Sequence, residues 1–422
     1  MSLQEISPNL TEDHLHEIIR KFGGVKYTSW SFNGNAAKKG DSNLSELHKI
    51  IVTGEDDKGI FFSIPLIIKT SPKNVGRRKT FRSADFFRNE IKFYEIIVKI
   101  FYEFQSTKEN LKSPFKEIHP CLLSFLDGTN DFLILENLND CGYFSSPRQK
   151  PMALNLSRLI MQTLGRFHGM SFIIRDQDPE LFKELSTVLE ETYHSNRFKT
   201  WHGNFIDIQT DIALDALSKI YGGTEIEARG KKFLTESSLF DKMVSYIEAR
   251  NQYTVISHGD CWTPNFLFKT IKHDGKDVVV KAKMIDFQLA RVSSPAIDIS
   301  FFIYCCTNEE LRAQHYDDLL KAYHDSLSEI IKDFGSNPEK LFPFSALESE
   351  LQKYARYGVA ISIEAIPFSV MDDSETANFN LIKGDEAVPI TDIWILKRLK
   401  KVEDQQRLAD IFKHALERGY LD

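Results

Sequence analysis

A chain of 422 residues is longer than one hydrophobic core usually organises, so two lobes are expected. Hydrophobic content of 42% and charged content of 27% are those of a soluble globular protein, and a net charge of −7 would repel nucleic acid and anionic membranes at long range. Five cysteines without Cys-x-x-Cys spacing argue against zinc and against a disulfide framework, and no apolar run reaches bilayer length. Neither nucleic-acid binding nor membrane insertion is therefore expected, and the cytoplasm is the expected setting.

Taken in chain order, Leu47 to Thr53 and Ile60 to Thr70 are apolar, β-branched runs separated by the turn-rich Gly54-Glu-Asp-Asp-Lys-Gly59, which predicts a hairpin. Arg77, Arg78, Lys79 and Arg82 form the densest basic run and read as a solvated face, as do Lys397, Arg398, Lys400 and Lys401. From Phe81 to Phe104 a helical period carries Phe87, Ile91, Tyr94, Ile97, Val98 and Phe101 on one stripe. Cys121 to Phe125 and Phe132 to Leu135 read as two further strands, with Asp127-Gly128 as the turn. Leu154 to Ile174 is a buried helix, several helices follow between 179 and 250, and a short β segment spans about 254 to 289. The remainder is helical and closes on an amphipathic helix from Leu399. The fold class is thus α+β, bilobal, with a small sheet-plus-helix N-terminal lobe over 1–136 and a large, mostly helical C-terminal lobe over 137–422.

Chemistry concentrates in Val255-Ile-Ser-His-Gly-Asp260-Cys-Trp-Thr-Pro-Asn265, which feeds an apolar strand, and in Met284-Ile-Asp286-Phe-Gln downstream. Asp274-Gly275 is a hairpin turn signal between them. Antiparallel pairing about that turn sets Asn265 opposite about residue 284, close to Asp286. A carboxamide and a carboxylate then meet at one end of the hairpin, with Asp260 just ahead. Few hard oxygen donors with open positions suit Mg²⁺ that keeps waters and takes substrate phosphates. Asp260 is placed to accept the proton of an attacking hydroxyl, and Asn265 and Asp286 to hold the metal. The Asp-x-x-x-x-Asn spacing is that of a kinase catalytic loop.

Lys69 ends the strand Ile64-Pro-Leu-Ile-Ile68, and Glu90 falls on the buried stripe of its helix. A buried carboxylate is costly without a partner, so the two are expected to pair and to position nucleotide phosphates. Glu136-Asn137-Leu138 falls where a hinge would bind adenine through backbone groups, which makes Glu136 and Leu138 nucleotide-binding candidates. His168 reads as a satisfied core histidine, and Cys261, with no adjacent base, as unreactive.

These stretches resemble the ecdysteroid kinase-like family, a branch of the choline and aminoglycoside kinase-like proteins. The matching residues are Lys39-Gly-Asp-Ser-Asn-Leu-Ser-Glu-Leu47, Phe87-Arg-Asn-Glu90-Ile-Lys-Phe-Tyr94, Leu164-Gly-Arg-Phe-His-Gly-Met-Ser171, Ser257-His-Gly-Asp260-Cys-Trp262 with Asn265, Ile285-Asp286-Phe-Gln288, Ser294-Pro-Ala-Ile-Asp298 and Ala415-Leu-Glu-Arg-Gly-Tyr-Leu421. The resemblance implies a protein-kinase-like fold with ATP and Mg²⁺ between the lobes. It makes Asp260 the base, Asn265 and Asp286 the metal ligands, and Lys69 and Glu90 the phosphate-positioning pair. Gly40, Asp41 and Ser42 become the phosphate-covering loop, with Ser45 near it, while His258 and Asp298 support the catalytic loop. That loop has one useful glycine, and Phe-Gln after Asp286 with no Ala-Pro-Glu downstream argues against a protein kinase. The expected reaction is phosphorylation of a small-molecule hydroxyl, an ecdysteroid being one candidate acceptor and a choline-like amine, plant metabolite or sugar the others. A non-catalytic nucleotide-binding relative, and a metal hydrolase using His258, Asp260, His273 and Asp286, remain as alternatives. Acceptor identity and oligomeric state are not encoded in these motifs.

Overall fold

The computed structural model describes residues 1–35, 44–371, 377 and 379–421. The chain forms two compact units, one of Met1–Lys99, His119–Phe144 and Asp372–Ile395, the other of Ile100–Ile118, Ser145–Met371 and Leu396–Asp422. In place of the single cut expected at 136/137, residues 100–118 join the second unit and 372–395 the first.

The first unit is built on an antiparallel sheet of β1 (Lys26–Asn35), β2 (Glu46–Glu55), β3 (Phe61–Thr70), β4 (Leu123–Phe125) and β5 (Phe132–Glu136), in the order β1-β2-β3-β5-β4. The β2–β3 hairpin forms as its sequence predicts: Asp56 Oδ1 accepts the N–H groups of Lys58 and Ile60, and Gly59 supplies the positive φ. Period-two alternation turns Ile64, Leu66 and Ile68 to one face. There they pack with Ile50, Val52 and Leu15, Ile18 and Ile19 of helix α1 (Glu12–Lys21). Lys69, one residue out of phase, is therefore carried to the opposite face from α1.

The single helix expected from Phe81 to Phe104 is interrupted twice. Arg82 sits in the left-handed region at φ 54°, which separates a short helix, Val75–Phe81, from α2 (Ser83–Lys92). A π-turn then occupies Phe93–Val98 before helix resumes at Lys99–Ser106. The wider turn alters the phase, yet the whole expected stripe is buried, because Phe87, Ile91, Tyr94, Ile97, Val98 and Phe101 retain at most 4% exposure. The nearby basic run is not the solvated face its charge suggested. Arg77 lies 4.2 Å from the Phe379 ring, Arg78 donates to the Pro72 and Lys73 carbonyls, and Arg82 pairs with Asp85.

In the second unit, α3 (Leu154–Gln177) lies along α6 (Glu309–Asp333), and α5 (Pro295–Cys306) along α7 (Arg356–Val370). Glycines permit both approaches: a Cβ at Gly165 would meet the Tyr323 carbonyl oxygen at 2.3 Å, and one at Gly358 the Ser300 carbonyl carbon at 2.4 Å. Helix α4 (Lys199–Tyr221) packs with the closing helix α8 (Val402–Glu417). Between these helices lie a pair, β6 (Val255–Ser257) with β9 (Arg291–Ser293), and a hairpin, β7 (Phe266–His273) with β8 (Lys276–Met284). Among the described residues no helix is long and apolar enough to cross a membrane.

Candidate active site

The β7–β8 hairpin delivers the expected convergence, with a one-residue improvement. Counting back from the Asp274-Gly275 turn sets Asn265 opposite residue 284. A bulge between Lys269 and Thr270, with Val280 as the extra residue, moves the register so that Phe266 pairs with Met284. The Asn265 carbonyl then accepts the N–H of Ile285 at 3.1 Å, one residue before Asp286. Asn265 ends a short Thr263–Asn265 turn, and its Nδ2 donates to both the backbone oxygen and Oδ2 of Asp260, each at 2.9 Å. With its amide nitrogen so engaged, Asn265 keeps Oδ1 as an acceptor.

Asp286 holds φ at 65°, a left-handed conformation uncommon outside glycine and tolerated best by Asp and Asn. Desolvation, with the nearby Asp286 carboxylate adding to it, pushes Asp260 up to about 7. A hard divalent cation would offset that repulsion, and the donors available, a carboxamide oxygen and a carboxylate, are of the type Mg²⁺ takes alongside waters and phosphate oxygens. Among the described residues no group of three or more His, Cys, Asp or Glu is placed to hold a metal.

The loop carrying Asp260 is held from behind. Asp298 Oδ2 accepts the His258 N–H at 2.6 Å and lies 3.1 Å from His168 Nε2, while Oδ1 accepts the Gly259 N–H at 2.9 Å. Burial alone would raise the Asp298 carboxyl, but hydrogen bonding and charge from His168 and His258, with the Gly259 N–H, hold it below its ordinary value. The local sequence sets this up: Ser294 caps α5, Pro295 opens it, and Asp298 falls in its first turn. His258 is neutral, its value lowered chiefly by burial. Its Nδ1 accepts the Asp260 N–H at 3.3 Å, which leaves Nε2 to donate to the Ile285 carbonyl at 3.1 Å. One imidazole thus spans Asp260 and the residue before Asp286. Gly259 has φ +81°, and a Cβ there would meet the Leu289 oxygen at 1.9 Å. His168 is buried and bridges Asp298 to Tyr323, as expected of a core histidine. Burial pushes the Cys261 thiol far up, which makes it unreactive.

In the first unit Lys69 Nζ meets Glu90 Oε2 at 2.7 Å, both residues nearly inaccessible. Face alternation on β3 and the stripe on α2 bring them together. At the end of β5, Glu136 accepts from the Cys141 thiol and lies 3.4 Å from His119, while the Leu138 carbonyl accepts N–H groups from Cys141 and Tyr143. Gly40, Asp41 and Ser42, and the acidic run at 372–375, lie outside the described residues. Ser45 is buried, with its carbonyl taken by Arg77. His273 sits exposed at the hairpin turn, at the opposite end from Asn265, which separates it from the other residues of the hydrolase alternative.

Sequence reasoning did not single out Arg291. It is buried, pairs with Glu191 Oε2 at 3.2 Å, and lies 3.5 Å from the Gly259 carbonyl. An arginine in the apolar run Leu289 to Val292 was the available signal, since such a cation must find a partner. Thr192 adds a hydrogen bond to the Gln288 carbonyl, so residues 191 to 193 are anchored beside the metal-side segment.

A family model described as the ecdysteroid kinase-like family matches residues 39–336, more than half of the chain. No curated protein sequence matches it. Among solved structures, the GDP complex of a point variant of aminoglycoside 2'-phosphotransferase-IIIa is similar at 11% identity and TM-score 0.37, covering 85% of this chain and 90% of that one. A glucosamine kinase is similar at 9% identity and TM-score 0.33, covering 87% and 96%. Likeness at that level says nothing about nucleotide or acceptor. A small antiparallel sheet unit and a helical unit carrying the Asp-x-x-x-x-Asn loop are the α+β parts of a protein-kinase-like fold.

Proposed function

Because the chain belongs to the ecdysteroid kinase-like family, and is on that ground a small-molecule phosphotransferase, we propose that it uses ATP and Mg²⁺ to phosphorylate a hydroxyl group, with an ecdysteroid as the favoured acceptor. The observation that carries this reading is the convergence of Asp260, Asn265 and Asp286 at one end of the β7–β8 hairpin. Asn265 Oδ1 and the Asp286 carboxylate would hold the metal, which when bound supplies charge to offset the transferring phosphoryl group. Asp260 accepts the proton of the acceptor hydroxyl at a carboxylate oxygen. Asn265 fixes that carboxylate through Oδ2, and Asp298 and His258 fix the loop that presents it. Lys69, held by Glu90, would pair with nucleotide phosphates, and Gly40, Asp41 and Ser42 would cover them. The backbone of Glu136 and Leu138 would receive adenine. A cytoplasmic setting fits five free cysteines, three of them buried.

Asp260→Asn tests the reading, because it removes the base with little change of shape. The expected loss in kcat is about 10²- to 10⁴-fold with the melting temperature held. Undiminished transfer of phosphate from ATP by that variant would strip Asp260 of its role.

A further inference from the structure

The second unit holds a buried polar cluster that the reaction above does not use. Glu364 lies on α7, and its carboxylate accepts hydrogen bonds from the Tyr193 hydroxyl at 2.5 Å and the Gln209 amide at 3.0 Å. His202 Nε2 lies 3.2 Å from the same carboxylate. Tyr193, His202 and Gln209 are at most 6% exposed, whereas the Glu364 side chain keeps 12%. A carboxylate offers about four lone-pair positions, and the hydrogen bonds from Tyr193 and Gln209 occupy two. Three imidazole atoms of the cluster, His202 Nδ1, His202 Nε2 and His194 Nε2, are buried without a hydrogen-bond partner among the described residues. Buried polar atoms are nearly always satisfied by protein, water or ligand, so the cluster has capacity for something further.

A continuous set of contacts ties this cluster to the catalytic loop. Arg291 reaches the Gly259 carbonyl and pairs with Glu191. Glu191 Oε1 accepts the backbone N–H groups of Tyr193 and His194, each at 2.7 Å, and Tyr193 closes on Glu364.

We propose that Glu364, with its collar of Tyr193, His202 and Gln209, is the subsite that orients the acceptor, and that it takes a second hydroxyl of an uncharged alicyclic molecule. This inference rests on the kinase reading above. The open lone-pair positions suit O–H donors, whereas the quaternary ammonium of choline has no N–H to donate and would leave them unsatisfied. Trp201 packs edge-on against Tyr193, Phe205 against His202, and Phe368 against Phe205, an aromatic setting suited to a hydrocarbon frame.

The test compares wild type, Glu364→Gln and Tyr193→Phe on three kinds of probe: an ecdysteroid with several hydroxyls, analogues each lacking one of them, and choline. Calorimetric binding of each probe without nucleotide accompanies the phosphorylation kinetics. Glu364→Gln should raise the KM for the polyhydroxylated probe about tenfold or more, as loss of a charge-assisted hydrogen bond requires, with the KM for ATP held within about twofold. One analogue should bind wild type and variant alike, which identifies the hydroxyl that Glu364 receives. Tyr193→Phe keeps ring volume and should show the same pattern more weakly, so the comparison survives should Glu364→Gln fail to fold. An unchanged acceptor KM, an equal penalty on every analogue, or a preference for choline would overturn the subsite. Glu364-dependent binding of the probe by a wild-type protein that phosphorylates nothing would uphold the subsite and overturn the kinase reading. Absence of both binding and product would overturn both.

Discussion

In the sheet-bearing unit the Lys69 ammonium meets Glu90 at 2.7 Å across two elements that the sequence periodicity aligns. In the helical unit the Asp260 loop is set by many contacts: Asp298 takes two of its backbone N–H groups, His258 spans it to Ile285, and Arg291 reaches its Gly259 carbonyl. Two opposite charges that meet can be replaced together by apolar groups. A network of buried donors shares its members, so one deletion leaves several groups unsatisfied. Under the proposed function the contrast suits the tasks, since phosphates need a fixed charge whereas in-line transfer needs a base placed to within a fraction of an ångström.

Gly259→Ala should break the network side most severely. Its Cβ would fall 1.9 Å from the Leu289 oxygen at a φ that L residues avoid, so the loop or the 286–291 segment must move. We expect loss of activity together with a large fall in the denaturant midpoint; a variant with wild-type melting would show that the loop yields freely.

Asp298→Ala strips the acceptor from two buried N–H groups and from His168, with an expected cost of about 3–5 kcal/mol by chemical denaturation. A pH series sharpens this. The folded-state carboxyl is held below its ordinary value, so its contribution is present above the unfolded value of about 4 and is lost as pH falls through the lower folded value. Wild type should therefore lose stability in that acid window, and Asp298→Asn should flatten the slope there.

The pair side should respond differently. Glu90→Ala leaves a buried ammonium and should cost about 3–5 kcal/mol, while the double change Lys69→Met with Glu90→Leu should restore most of that stability. Phosphotransfer should stay lost in the double variant, which separates the charge from the packing. Recovery of activity along with stability would remove Lys69 from nucleotide binding.

The smallest effect on stability is expected from deleting Val280, the exposed extra residue of the bulge. The ladder then closes without a bulge, with Lys269 still opposite Lys281 and Phe266 still opposite Met284, so Asn265 keeps its register beside Ile285. Activity should therefore change little, with the melting temperature nearly unchanged; a loss of about 10²-fold would show that the added twist of the bulge, and not the register alone, places Asn265.

Much of this was legible in the residues alone, because alternation along β3 and the stripe on α2 are local patterns that fix which face each side chain takes. The same holds for the hairpin, where Asp274-Gly275 set the register to within the single residue that the bulge then added. Neither interruption of the long helix was readable, since Arg82 and the π-turn at Phe93–Val98 carry no glycine or proline to announce them. Within the candidate site, the chain order supplied Asp260, Asn265 and Asp286 as residue types at suitable spacing.

Only the tertiary structure decided what holds them. Asp298 reaches His258 across 40 residues, Arg291 finds Glu191 across a hundred positions, and Glu364 gathers donors from Tyr193 and Gln209 more than 150 residues away. Periodicity assigns a side chain to a face, but it does not name its partner. Partners follow from which helices pack together, and that is settled by close approaches such as Gly358 against Ser300, where excluded volume rather than local propensity selects the arrangement.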